Sequence, residues 1–235
     1  MWAASILGEP VTSAKRAPKR RVAILISGRG SNMSALIAAA QAPHYPAEIA
    51  LVMSNRPDAQ GIGVAQAANI ATAIVDHTPF GKDREAFEAA LERELQARRI
   101  DFVCLAGFMR LLTPAFVSRW PARMLNVHPA LLPSFKGLDT HARALAAGVK
   151  LHGATVHFVT PEMDSGPIVA QGAIAVRDDD TPDTLAARVL AIEHEIYPRA
   201  LRLVAEGRVR LADGRCHIAD ADTVSTKLVV PSAAT

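Results

Sequence analysis

Apolar residues fall along the chain in short, dense runs separated by amphipathic stretches. Val22-Ala23-Ile24-Leu25-Ile26 is the first run and stops at Ser27-Gly28. Ile49 to Met53, Thr72 to Val75, Phe102 to Ala106 and Met124 to Val127 follow. Such continuous runs suit strands covered on both faces. Between them, Ser31–Ala40, a segment near Gly61–Ala68, and Lys82–Arg98 read as helices. In the last of these Phe87, Leu91 and Leu95 recur at i+4, as an amphipathic helix requires. Thr113-Pro114 and Thr181-Pro182 each set a capping hydroxyl before a proline suited to the first helical position. The second opens a long helix toward Glu206, ended by Gly207, and His141–Ala147 is a short helix closed by Gly148.

Gly153–Val159 and Ile168–Val176 read as antiparallel neighbours, and Arg208–Leu211 and His217-Ile218 as edge strands. This order predicts an α/β fold with an open, mostly parallel Rossmann-like sheet flanked by helices and antiparallel strands in the C-terminal half. Residues 1–20 are expected to form a basic, disordered leader, 21–218 one domain, and 219–235 a flexible tail. Ligands of such sheets bind beyond the carboxyl ends of the strands. The polar residues that follow each apolar run are therefore the candidates for chemistry.

Composition narrows the class. Half of the 235 residues are hydrophobic and 21% are charged, which excludes wholesale disorder. No apolar run approaches the roughly 20 residues of a membrane span, so no membrane partner is expected. Two cysteines, Cys104 and Cys216, cannot build a disulfide framework or a structural zinc site, which fits a reducing cytoplasm. The formal charge of +3 is concentrated at the start. Lys15, Arg16, Lys19, Arg20 and Arg21 face only Glu9, a net +4, and the rest of the chain sums to −1. A basic leader has two readings, a loose terminus or a contact with nucleic acid or membrane. The near-neutral body gives no reason to expect a nucleic-acid partner.

Ser27-Gly28-Arg29-Gly30-Ser31-Asn32 lies between the first strand and the first helix. Glycines let the backbone approach an anion, and the helix start offers free N–H groups at the positive dipole end. Met33 occupies the third glycine position of a dinucleotide fingerprint, and no Lys-Ser/Thr pair marks a nucleotide P-loop. The loop therefore reads as a monophosphate site or as a plain tight turn. Asn126 and His128, two apart at a strand end, share one face. An amide and an imidazole aimed at one spot can stabilise an oxyanion and move a proton, or can simply satisfy backbone groups. Asp164, in the turn-rich stretch Thr160 to Pro167, is either a turn former or the carboxylate that orients that imidazole.

Other groups are poorer candidates. Cys104 sits inside an apolar strand. His152 and His157 are five apart and face opposite ways on a straight strand, and Glu193-His194-Glu195 point apart on a helix, so no metal site is expected. No Gly-x-Ser-x-Gly elbow supports serine hydrolysis.

Four ordered motifs carry a resemblance. They are Gly28-Arg29-Gly30-Ser31-Asn32, Leu105-Ala106-Gly107-Phe108-Met109-Arg110-Leu111-Leu112, Asn126-Val127-His128-Pro129-Ala130-Leu131-Leu132-Pro133, and His157-Phe158-Val159 through Asp164-Ser165-Gly166-Pro167. Over residues 21–218 the chain resembles the phosphoribosylglycinamide formyltransferases, folate-dependent enzymes of purine biosynthesis. The resemblance implies transfer of a formyl group from 10-formyltetrahydrofolate, as co-substrate, to the amine of glycinamide ribonucleotide. It implies that Asn126 holds the formyl oxygen, that charged His128 stabilises the tetrahedral intermediate, and that Asp164 keeps His128 charged and organises a water relay. Gly30, Ser31 and Asn32 would hold the phosphate, and Glu193 the substrate. Met109, Arg110, Leu111 and Leu112, with Val159, Thr160, Pro161, Glu162, Met163 and Asp164, would form the pterin slot, and Arg84 would face the folate tail. A monomer or homodimer in the cytoplasm is expected.

Lys136 reads as a solvated loop charge. A formyltetrahydrofolate hydrolase or a methionyl-tRNA formyltransferase would use the same trio. The phosphate loop and the lack of an extra regulatory domain disfavour the first, and the −1 body disfavours the second. A silent nucleotide-binding module would need the glycine loop but not the three polar residues.

Overall fold

The computed structural model describes residues 18–220 and 230. Residues 1–17 of the expected leader and nearly all of the expected tail lie outside the described residues. In chain order the elements are β1 (Arg20–Ile26), α1 (Ser31–Ala40), β2 (Ala47–Ser54), α2 (Gln60–Ala67), β3 (Thr72–Ile74), α3 (Arg84–Ala97), β4 (Phe102–Leu105) and α4 (Pro114–Val117). They continue as β5 (Met124–His128), α5 (Thr140–Ala146), β6 (Leu151–Phe158), β7 (Ile168–Ala175), α6 (Pro182–Ala205), β8 (Val209–Ala212) and β9 (Arg215–Ile218).

Seven strands form one sheet in the order β3-β2-β1-β4-β5-β6-β7. β1 to β5 run parallel, β6 runs antiparallel to β5, and β7 runs antiparallel to β6 and so in the direction of the first five. The strand order reverses between β1 and β4, so the loops after these two strands diverge and leave a crevice at the sheet's carboxyl edge. The continuous apolar runs are explained by two cores. Val22, Ile24 and Ile26 of β1 pack with Met33, Leu36 and Tyr197 beneath α1, α2 and α6. Ala23 and Leu25 point the other way, to Phe87, Leu91, Leu95, Phe116 and Trp120 of the α3–α4 side.

The predicted caps form. Thr113 accepts from the Phe116 N–H at the start of α4. Thr181 and Thr184 make a reciprocal capping box at the start of α6, followed by Pro182. α1 differs: its cap is Gly30, in a left-handed conformation and with no side-chain hydrogen bond. The expectation of C-terminal edge strands is corrected. β8 and β9 pair with each other as a separate two-stranded sheet. Asp213 and Gly214 both have positive φ, the requirement of a tight hairpin turn, and they fold the two strands back on one another.

Tyr197 ties α6 to the centre of the sheet. It is fully buried, and its hydroxyl lies 3.1 Å from the Leu105 carbonyl and 3.0 Å from the Leu125 carbonyl, near the ends of β4 and β5. Burial and the neighbouring Cys104 push its pKa well above the usual phenol value, so it acts as a donor throughout the accessible range. Tyr197→Phe is expected to cost about 1–2 kcal/mol, read as a lower denaturant midpoint at unchanged slope; an unchanged midpoint would show the hydroxyl to be dispensable.

Candidate active site

The crevice begins where β1 and β4 end. The Ser27 N–H donates to the Gly107 carbonyl at 3.1 Å, and the Met109 N–H donates to Ser27 Oγ at 2.7 Å, which joins the two loops. Ser27 in turn donates to Asn55 Oδ1 at 2.6 Å. Gly30, at φ +75°, turns the chain into α1 and leaves its first N–H groups without a side-chain cap. The Gly61 N–H donates to the Gly28 carbonyl at 3.0 Å, and a Cβ on Gly61 would come within 2.5 Å of Ile26, so α2 packs tightly under the loop. A cavity of about 400 Å³ lies against Gly28–Asn32 and is walled by Arg56, His77, Gly107, Met109 and Arg110. Its lining includes three arginines and no carboxylate. Arg56 is paired with Asp58 at 2.7 Å, and the helix start with Arg29 and Arg110 beside it suits a phosphate.

Two predicted substrate residues meet here. Asn32 of α1 and Glu193 of α6 are both buried, and Asn32 Nδ2 donates to Glu193 Oε2 at 2.5 Å. The Asn32 side chain therefore turns inward, and its backbone N–H is what it offers an anion. Asn32 Oδ1, also buried, has no partner. Burial raises the Glu193 pKa above the usual carboxylate range, and the Asn32 bond opposes that rise.

One strand away, the apolar surface of the α3–α4 face ends at Met124, and Asn126 and His128 come next on that face of β5. Leu105 pairs with Asn126, so the Ala106–Gly107 wall of the cavity lies beside them. The antiparallel register sets Asn126 opposite His157 and His128 opposite Thr155. His157 Nδ1 lies 2.9 Å from the Phe158 carbonyl, which can only accept, so Nδ1 carries the proton. Burial lowers the His157 pKa below the usual histidine value, against the opposing pull of that carbonyl and of Asp164. A neutral ring with Nδ1 protonated presents a lone pair at Nε2, and Asn126 Nδ2 lies 3.3 Å from it. His157 thus sets which way the Asn126 amide faces and leaves its second N–H free.

Asp164 closes the group. It sits at φ +51°, with Oδ2 3.4 Å from His128 Nδ1 and Oδ1 3.8 Å from His157 Nε2. The Gly137 N–H donates to Oδ2 at 2.9 Å. His128 Nε2 donates to the Phe135 carbonyl at 2.9 Å. The loop bearing Asp164 is pinched at its neck, where the Phe158 N–H meets the Pro167 carbonyl at 2.9 Å and a Cβ on Gly166 would lie 1.8 Å from the Phe158 carbonyl oxygen. Thr155 fixes the opposite loop: its hydroxyl donates to the Ala130 carbonyl and accepts from the Leu132 N–H.

Asn126, His128 and Asp164 thus converge, and Glu193 joins the glycine loop. The expected pterin residues lie on two loops rooted in one apolar cluster, with Phe108 and Leu112 on one side and Val159 on the other. Met109, Leu111 and Met163 are exposed apolar side chains on these loops. Arg84 donates to the Leu111 carbonyl, at the rim of the first. Lys136 is exposed, as a solvated loop charge would be, and its ammonium also donates to Ser165 Oγ at 2.6 Å, which joins two loops.

Sequence reasoning weighed His157 only as a metal ligand, because its partnership with Asn126 requires the strand register. Arg56 and His77 were passed over, although each follows a strand directly, the position at which such sheets present ligand contacts.

Residues 20–201 match the family described as formyl transferase, and the chain belongs to that family. Within it, the chain is 43% identical over 190 residues to phosphoribosylglycinamide formyltransferase from Escherichia coli strain K12, covering 81% of this chain and 89% of that protein. The trifunctional purine biosynthetic protein adenosine-3 of Bos taurus is 48% identical over 195 residues, 83% of this chain. The match covers 19% of that much longer protein. The crystal structure of glycinamide ribonucleotide transformylase 1 from Symbiobacterium toebii superposes with a TM-score of 0.84 at 42% identity, covering 90% of this chain and 99% of that one.

Behind the site, His152 of β6 is buried against the rings of His141 and Phe135. Burial, with the neighbouring His141, lowers its pKa to about 4. The unfolded chain binds a proton here near pH 6.5 and the folded one only near 4, so stability is lost as pH falls through that window. The loss amounts to no more than about 3 kcal/mol. Denaturation at pH 7 and pH 4.5 is expected to show this fall, and His152→Leu is expected to reduce it; equal falls in both proteins would exclude His152 as the source.

Proposed function

We propose that the chain transfers the formyl group of 10-formyltetrahydrofolate to the amine of glycinamide ribonucleotide, giving formylglycinamide ribonucleotide and tetrahydrofolate in cytoplasmic purine biosynthesis. The observation that carries this reading is a pair of adjoining sites. An arginine-walled cavity on a helix start lies one strand from Asn126 and His128, where Asp164 Oδ2 lies 3.4 Å from His128 Nδ1 and His157 links the Asn126 amide to the same carboxylate. The family's relatives supply the reaction type.

In this reading the ribonucleotide phosphate rests on the N–H groups of Gly30, Ser31 and Asn32, and Glu193 positions the substrate from below. Anchoring a remote phosphate orients the amine for attack without adding to the chemical step. The folate donor lies between Met109–Leu112 and Val159–Asp164, where the exposed apolar side chains of Met109, Leu111 and Met163 suit a flat ring. Its tail passes Arg84. The substrate amine is the nucleophile, so no acyl-enzyme forms.

The free Asn126 N–H donates to the formyl oxygen as it gains charge. The imidazolium form of His128 adds positive charge beside it, and Asp164 balances that charge and fixes the ring. His128 Nε2 is engaged by the Phe135 carbonyl. Delivery of a proton to the departing folate nitrogen therefore requires exchange of that contact, or a water held by Asp164.

Purified chain is expected to formylate glycinamide ribonucleotide from 10-formyltetrahydrofolate. Hydrolysis of the donor with no transfer would instead assign the chain to the deformylating branch. Asn126→Ala and His128→Ala are each expected to lower kcat by about 10²–10³ while folate binding, followed by fluorescence titration, stays close to wild type. Turnover near wild type in either variant would remove that residue from the mechanism.

A further inference from the structure

The loop from Phe135 to Leu138 connects the two groups assigned to proton handling, and it does so with backbone atoms alone. The Phe135 carbonyl accepts from His128, and the Gly137 N–H donates to Asp164. This backbone is bent unfavourably. Phe135, Gly137 and Asp139 have φ of +55°, +82° and +55°, a conformation that side-chain-bearing residues rarely adopt. A segment of this kind keeps its shape only where surrounding contacts over-determine it.

Arg143 of α5 provides those contacts. Its Nη1 donates to the Lys136 carbonyl at 2.6 Å and to the Leu138 carbonyl at 3.3 Å, the two carbonyls that flank Gly137. Its guanidinium also lies 5.8 Å from the centre of the Phe135 ring. We infer that Arg143 is a positioning residue for formyl transfer: by holding carbonyls 136 and 138 it aims the Gly137 N–H at Asp164 and the Phe135 carbonyl at His128. The inference rests on the reading of His128 and Asp164 as the reacting pair. Arg143 touches neither of them. It acts through the peptide planes between them, and the Lys136–Ser165 contact closes the same loop from its exposed side.

The test compares the full chain with Arg143→Met and Arg143→Lys in steady-state formyl transfer, in amide hydrogen exchange of Gly137, and in thermal melting. Methionine keeps much of the apolar stem and has no donor. Both native bonds leave one nitrogen, and a lysine ammonium, one atom shorter in reach, restores a donor to the Lys136 and Leu138 carbonyls after a small shift of the loop. Arg143→Met is expected to lower kcat about tenfold, with both KM values within about twofold, and to speed Gly137 exchange about tenfold. Arg143→Lys is expected to recover most of both. An unchanged kcat or an unchanged Gly137 amide in the methionine variant overturns the inference. So does a loss confined to KM, or a loss that lysine does not restore. Exchange is read without substrates. A wild-type chain that transfers no formyl group would therefore refute the proposed function, while the amide measurement still decides what Arg143 holds.

Discussion

The antiparallel pairing of β5 with β6 is the constraint on which the reacting end depends. The strands from β1 to β5 pair in parallel with one another, and β5 meets β6 in the sheet's first antiparallel pair. Reversal of direction puts His157 beside Asn126 and Thr155 beside His128 at fixed register. From that register follow the facing of the Asn126 amide toward His157 and the clamp that Thr155 places on the loop after β5. The carboxylate arrives last, on a loop whose neck is stitched to the end of β6. A reversal of direction in one strand pair thus organises groups drawn from three separate stretches of chain.

The two halves of the crevice work by different physics. At the β1 end, attraction is long-ranged and tolerant of detail: guanidinium groups and a helix terminus favour negative charge wherever it settles in the cavity. At the β5 end, contacts are short, buried and directional, and a small error in one ring orientation would disable its neighbour. The Gly107 wall keeps them apart while the Ser27–Met109 bond keeps their loops in step. A substrate with a phosphate at one end and an amine at the other matches this division. The buried Asn32–Glu193 pair locks α6 onto the glycine loop between the two.

Much of the architecture was legible in the sequence because each strand is a run buried on both faces and each long helix carries its own punctuation. Ser31–Ala40 is bounded as the pattern predicts, and Thr113 and Thr181 cap as their positions demand. The convergence of Asn126, His128 and Asp164 came from motif resemblance, not from spacing, since 36 residues separate His128 from Asp164. What stayed hidden depends on register or on backbone conformation. His157 acquires its role only opposite Asn126. Lys136 is solvated as expected, and only the fold brings the loop at Ser165 to it. The β8–β9 strands look like sheet edges until the Asp213-Gly214 turn is seen to fold them on themselves. Arg143 gives no local signal, because its partners are main-chain oxygens.

Gly166 carries a consequence for how this scaffold can change. With no space there for even a methyl group, the base of the Asp164 loop is invariant in shape, whereas Thr160 to Met163 at its tip is open to solvent on one side or more. Side chains can therefore be exchanged at the tip, and the aspartate takes its placement from the base. Such a rigid pedestal would let a few tip residues be replaced without moving the Asp164 carboxylate away from His128.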